Sequence, residues 1–99
     1  MRWYRLRGYR ILARNTWVAG YELDIVVRRG RRLVFCEVKE KLGDRFGDPL
    51  EMVDEEKQRR IRWAAESWLA LHPESEGLRI SFDVIAVRDG KLERVAEAF

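Results

Sequence analysis

Four charged residues interrupt two apolar runs in the first half of the chain: Glu22 and Asp24 within Tyr21–Val27, and Glu37 and Lys39 within Leu33–Lys39. Carboxylates in buried segments repel one another and lose hydration, so they need a compensating cation. Paired carboxylate oxygens suit Mg²⁺ or Mn²⁺, which keeps some of its waters and takes substrate phosphates as further ligands. A neighbouring lysine is then placed to orient water or to neutralise charge developing on a phosphate.

Two strands are needed to bring these groups together. Side chains alternate between sheet faces, so Glu22, Asp24 and Val26 are predicted on one face of the first segment. Leu33, Phe35, Glu37 and Lys39 share one face of the second. An antiparallel hairpin with an even-numbered turn in Arg28–Arg32 puts Asp24 and Glu37 on a common face. With Gly30 and Arg31 as the turn, Asp24 falls opposite Glu37, and Glu22 opposite Lys39. A turn on Arg29 and Gly30 moves the partner of Asp24 to Phe35 and keeps the face, whereas a three-residue loop without a bulge brings Cys36 there. The alternative use of the same residues is a Glu22–Lys39 ion pair on a solvated sheet face.

The 99 residues leave room for a single domain, 1–99, with one sheet and one or two helices. A hydrophobic content of 46% with four tryptophans argues for a packed globule. No apolar run nears the roughly 20 residues of a membrane span, and the N-terminus lacks a signal-peptide core, so a soluble cytoplasmic protein is expected. One cysteine and one histidine exclude an internal disulfide and a zinc site of the usual kind. The net charge of +3 is mild. Its arginines are clustered: Arg2, Arg5, Arg7 and Arg10, then Arg28, Arg29, Arg31 and Arg32, then Arg59, Arg60 and Arg62. Each cluster taken alone reads as solubilising surface; three around a carboxylate site fit a groove that follows a phosphate backbone.

In chain order, Met1–Arg7 offers one helical turn, Gly8–Trp17 a first strand and Asn15–Gly20 a turn into the central hairpin. Glu40–Asp48, with Gly43 and Gly47, is expected to be a loop beside the site, presenting Lys41, Arg45 and Phe46 to a substrate. Pro49 and Asp54 precede a helix whose apolar stripe is Ile61, Ala64, Ala65, Trp68 and Leu69. Extended backwards, the stripe reaches Lys57, a second phosphate or water contact, or else a side chain whose stem covers the core. Gln58, Arg59 and, in the hairpin turn, Arg31 are further candidates for nucleic-acid contact. Trp63 lies opposite the stripe and suggests a partner surface, for nucleic acid or a homodimer. Leu78–Arg88 and Lys91–Ala96 form a second hairpin through Asp89-Gly90. Asp83, the one charge within that segment's apolar run, reads as structural.

Asp24…Glu37-Val38-Lys39 resembles the signature of the PD-(D/E)XK nuclease superfamily. Gly8–Leu12, Arg14-Asn15, Glu22–Asp24, Val34–Lys39, Phe46-Gly47, Lys57 and Phe82–Val84 together resemble the YraN-like family within it. The order strand, strand, strand, helix, strand, strand gives an α/β domain with a central mixed β-sheet and one long helix, similar to the restriction-endonuclease-like core that the resemblance implies. The resemblance also implies Mg²⁺-dependent DNA hydrolysis, with Asp24, Glu37 and the Val38 carbonyl as metal ligands and Lys39 as the catalytic lysine. Relatives begin with a longer helix carrying a glutamate near the metal. Here that helix is mostly missing and no acidic residue precedes Glu22, so either Glu22 supplies the extra carboxylate or the site is a weakened one that binds without cutting.

Overall fold

The computed structural model describes residues 1–41 and 53–99. Its strands are β1 (Arg10–Val18), β2 (Tyr21–Arg29), β3 (Arg32–Lys41), β4 (Arg79–Arg88) and β5 (Lys91–Val95), with helices α1 (Arg2–Leu6) and α2 (Glu55–Ala70). They form a mixed α/β fold: a five-stranded sheet in chain order, antiparallel throughout except for β3 and β4, which run parallel. A parallel pair cannot be joined by a tight turn, so the chain crosses over through α2.

The hairpins are closed by residues that accept positive φ. Ala19 (φ 51) and Gly20 (φ 79) link β1 to β2, and Asp89 (φ 49) and Gly90 (φ 76) link β4 to β5, as mirror-image two-residue turns require. Gly30 (φ 58) leads the turn into β3, and the rungs run from Arg29↔Arg32 to Ile25↔Cys36. This is the Gly30-Arg31 alternative among the turns the sequence allows. The first strand is displaced from expectation: it continues through Asn15 to Val18, and the turn is confined to Ala19 and Gly20.

Helix α2 starts where its cap is strongest. The Asp54 carboxylate accepts the Lys57 N–H at 2.8 Å, with Glu55 and Glu56 in the first turn favouring the helix dipole. Ile61, Ala64, Ala65 and Trp68 are buried against Val26, Leu33, Phe35 and Val84, as the stripe predicts. Each large apolar side chain so buried contributes about 1.5–3 kcal/mol. At its end the His72 ring stacks on Trp68, 3.8 Å between centroids.

The opposite sheet face carries Tyr9, Ile25, Val27, Val34, Cys36 and Ile85, covered by Tyr4 of α1. Burial pushes the Cys36 thiol up to about 12, which keeps it an unreactive core residue. Asp83, fully buried, ties this layer together. It accepts from the Tyr4 hydroxyl at 2.7 Å, Arg94 Nη2 at 2.8 Å and Nε at 3.0 Å, and the Glu97 N–H at 3.1 Å. A carboxylate with this many donors is a structural pin, as the sequence suggested.

Candidate functional site

Strict alternation fails in the strand that matters most. Tyr21 and Leu23 pack on the α2 side together with Val26, while Ile25 and Val27 pack on the α1 side. The face therefore inverts between Leu23 and Ile25, at Asp24. The neighbouring strand inverts with it: Thr16 pairs with Leu23 and Arg14 with Ile25, and Asn15 between them has φ 45. Asparagine is among the few side chains that tolerate this left-handed conformation, so Asn15 supplies the kink. It is the site-shaping residue that sequence reasoning assigned to a turn.

The inversion changes where Asp24 points. The β2–β3 rungs stop at Ile25↔Cys36, and the next strand N–H, that of Val38, donates instead to Asp24 Oδ2 at 2.9 Å. Asp24 thus sits at the opening between the strands rather than on the α2 face beside Glu37. Val38's carbonyl lies past the last rung on the same edge, since the N–H and C=O of a strand residue point the same way. On the α1 side the opening is bordered by Met1, Arg14, Asn15 and Glu40.

Glu37 lies on the α2 side and is only 5% exposed. Its Oε1 accepts the Tyr21 hydroxyl at 2.9 Å and faces Lys39 Nζ at 3.4 Å. Burial, followed by the negative charge of Asp24, holds the Glu37 carboxyl above its ordinary range; Tyr21 and Lys39 work against that rise. Asp24 and Glu37 are therefore electrostatically coupled across the opening. Tyr21 is pushed up as well, by burial first and then by Glu37, and stays a hydrogen-bond donor.

Lys39 and Lys57 meet at this carboxylate. Burial alone would lower Lys39, but hydrogen bonding with Lys57 and the charges of Glu37 and Asp24 outweigh it and the group is raised. Lys57 is lowered, chiefly through its hydrogen bond with Lys39. Helix α2 delivers Lys57 because its first turn carries the buried stripe over β3, so a lysine in register with Ile61 and Ala64 reaches the Glu37 face.

Other candidates lie elsewhere. Glu22 is across from Trp17 on β1, on the face opposite Glu37, and has no hydrogen-bond or ion-pair partner among the described residues. The inversion at Asp24 explains this: the pairing that alternation predicts between Glu22 and Lys39 does not form, and Glu37 is the partner of Lys39. Arg31 is six strand residues from Glu37, about 20 Å, and reaches towards the Gly77 carbonyl at the far end of the sheet. Gln58 donates to the Val53 carbonyl at 3.1 Å, holding the chain that enters α2. Arg59 borders a groove with Tyr21 and Trp63. Lys41 closes β3. Arg45, Phe46 and Pro49, with most of the expected loop, lie outside the described residues.

Fold and site define a small mixed α/β protein whose sheet opens around two coupled carboxylates flanked by paired lysines. No helix among the described residues is long and apolar enough to cross a membrane. The chain belongs to the uncharacterised protein family UPF0102, whose model matches residues 1–87. It is 48% identical over 80 residues to a UPF0102 protein of Frankia casuarinae, covering 81% of this chain and 67% of that one. A UPF0102 protein of Azorhizobium caulinodans is 44% identical over 94 residues, covering 94% of this chain and 70% of the relative. One of Thermodesulfovibrio yellowstonii is 36% identical over 93 residues, covering 94% and 81% respectively. The chain spans about two thirds of the Frankia relatives' length, 67% and 66% of two of them.

Proposed function

We propose that this protein is a Mg²⁺- or Mn²⁺-dependent nuclease that hydrolyses phosphodiester bonds in DNA, built on a restriction-endonuclease-like core and working in the cytoplasm. Branched or repair intermediates are its proposed substrates. The observation that carries this reading is the buried Glu37 carboxylate, raised by burial and by Asp24, at an opening where Asp24 and the Val38 backbone converge. Two coupled carboxylates favour a cation between them, and the donor set suits a hard divalent ion. Asp24 keeps Oδ1 after its bond to Val38, Glu37 contributes its carboxylate, and the Val38 carbonyl is a third oxygen. Among the described residues no three His, Cys, Asp or Glu side chains cluster closely enough to hold a metal, so waters and substrate phosphate would complete the shell. Once bound, the ion would polarise the phosphate and ease deprotonation of a water.

The chain's own residues then divide the remaining work. Tyr21 fixes the Glu37 carboxylate by its hydroxyl. Lys39, which holds its charge, is placed to stabilise the extra negative charge of the pentacoordinate phosphate. Lys57 gives up its proton more readily than a free lysine and is the better group to orient, or take a proton from, the attacking water.

A second reading is a protein that binds nucleic acid without cutting it, favoured by the Asp24 carboxylate's commitment to the Val38 N–H. Labelled single-stranded, duplex and four-way-junction DNA, incubated with Mg²⁺ or Mn²⁺, separates the two. Cleavage by the parent that is lost in Asp24→Asn and Glu37→Gln supports the nuclease. Salt-sensitive binding unchanged by Asp24→Asn, with no cleavage, replaces it with the binding protein.

A further inference from the structure

Trp63 on α2 presents an exposed aromatic surface, 62% accessible. It does not stand alone. A groove runs between the Ala19-Gly20 turn and the first turns of α2, bordered by Tyr21, Arg59, Arg60 and Trp63. Tyr21 is shared: it lines this groove while its hydroxyl holds Glu37, so one residue joins the groove to the carboxylate site. Arg60 is tied to Glu56 at 2.8 Å, but Arg59 has no partner among the described residues. On the helix Trp63 follows Arg59 by one turn, which places an unpaired guanidinium and an indole face on one side of the groove.

An unpaired cation beside a solvent-facing aromatic plane matches the two parts of a nucleotide, phosphate and base. Trp63 stands six residues along α2 from Lys57, an axial rise of about 9 Å, on the other side of the helix. A base-paired duplex hides its base faces in the stack, so only a single-stranded or splayed base can use the indole.

We infer that this groove is a subsite for single-stranded nucleic acid, in which Trp63 stacks an unpaired base and Arg59 holds a neighbouring phosphate. The inference rests on the nuclease reading and adds to it the form of the substrate. It makes the enzyme one that engages strand ends, flaps or junction arms with unpaired bases rather than uninterrupted duplex.

The test is binding of fluorescein-labelled dT12, its abasic analogue of equal length and a dT12·dA12 duplex, without divalent metal, followed by fluorescence anisotropy. The parent is expected to prefer dT12 over both others. Trp63→Ala should lower dT12 affinity roughly ten-fold or more and leave the abasic strand unaffected, whereas Trp63→Phe keeps most of the preference. Arg59→Gln should reduce the salt dependence by about one phosphate contact for dT12 and the abasic strand alike. Equal binding of dT12 by the parent and Trp63→Ala overturns the subsite, and if metal-dependent cleavage sensitive to Asp24→Asn persists, the nuclease reading survives. A parent that neither binds nor cleaves any of the DNAs overturns both. Dimerisation in sedimentation that Trp63→Ala abolishes, without change in dT12 binding, assigns the surface to a second copy of the chain and overturns the subsite.

Discussion

Tyr21→Phe isolates how far the fold controls the key carboxylate. The substitution keeps the ring that packs beside α2 and deletes the hydroxyl that donates to Glu37 Oε1 at 2.9 Å. A hydrogen bond to a charged group contributes about 1.5–3 kcal/mol. Because the bond favours the ionised form, its loss should weaken Glu37 ionisation by roughly 10- to 150-fold. The direction is fixed by the site: burial and Asp24 already hold the Glu37 proton to higher pH than usual, and Tyr21 resists them. Carbon-13 titration of the Glu37 carboxyl reads this whether or not the protein cuts DNA. Glu37 in the parent should titrate above an ordinary glutamate, higher still in Tyr21→Phe, and lower in Asp24→Asn, which removes the neighbouring negative charge. The linkage to stability has a definite sign. A carboxyl raised in the folded state contributes most below its unfolded value and loses that contribution as pH climbs through the folded one. Tyr21→Phe should therefore lose stability relative to the parent near neutral pH and recover part of it below pH ~4, the ordinary glutamate range. An ordinary or depressed Glu37 titration in the parent, or a downward shift in Tyr21→Phe, would refute the account of the site.

Three further substitutions probe the scaffold and the lysine pair. Asp83→Ala leaves the Tyr4 hydroxyl and the Arg94 guanidinium without their shared acceptor, at a cost of about 3–5 kcal/mol in urea unfolding; a loss under 1 kcal/mol would contradict the structural role. Asn15→Gly should be nearly neutral, whereas Asn15→Val, forced to positive φ, should cost roughly 1–3 kcal/mol. The same variant should speed hydrogen exchange at the Val38 amide, which Asp24 protects. Lys57, lowered by its contact with Lys39, should react with an acylating reagent at pH 8–9 faster than exposed lysines do, and Lys39→Met should slow it to an ordinary rate. A Lys57 no faster than Lys91 would remove the case for it as a proton acceptor.

The fold was legible where short-range rules decide the outcome. Asp89-Gly90 and Gly30-Arg31 announce hairpins because few residues accept positive φ, and the Ile61–Leu69 stripe announces a helix because only a 3.6-residue period puts those side chains on one face. Asp54 marked the helix start by the chemistry of its cap. The parallel β3–β4 pair was legible only as a mixed sheet implied by the strand order, since the pairing across a helical crossover has no local signal.

The site was legible by residue and misread by geometry. Asp24, Glu37, Lys39 and Lys57 stood out as charges in apolar surroundings, and they do converge on the end of the β2–β3 ladder. The alternation rule that linked Asp24 with Glu37 also included Glu22 and excluded Tyr21, and both assignments invert in the structure. The cause is a local irregularity at Asn15 and Asp24, where the faces swap while the register from Arg14↔Ile25 to Thr16↔Leu23 holds, which period-two reasoning cannot register. Its only trace in the sequence is Asn15, an asparagine within a strand where Val or Thr would be usual. The kink is also what makes the site chemically distinctive. A regular ladder would have spent the Val38 N–H and carbonyl on β2 and put Asp24 and Glu37 side by side on one face, two buried carboxylates in direct repulsion. By turning Asp24 into the strand opening, the fold separates the two charges, gives Asp24 a backbone donor and leaves Glu37 to Tyr21 and Lys39. Straightening β1 at Asn15 should therefore disturb Glu37 titration through Asp24, although Asn15 touches neither Glu37 nor Lys39.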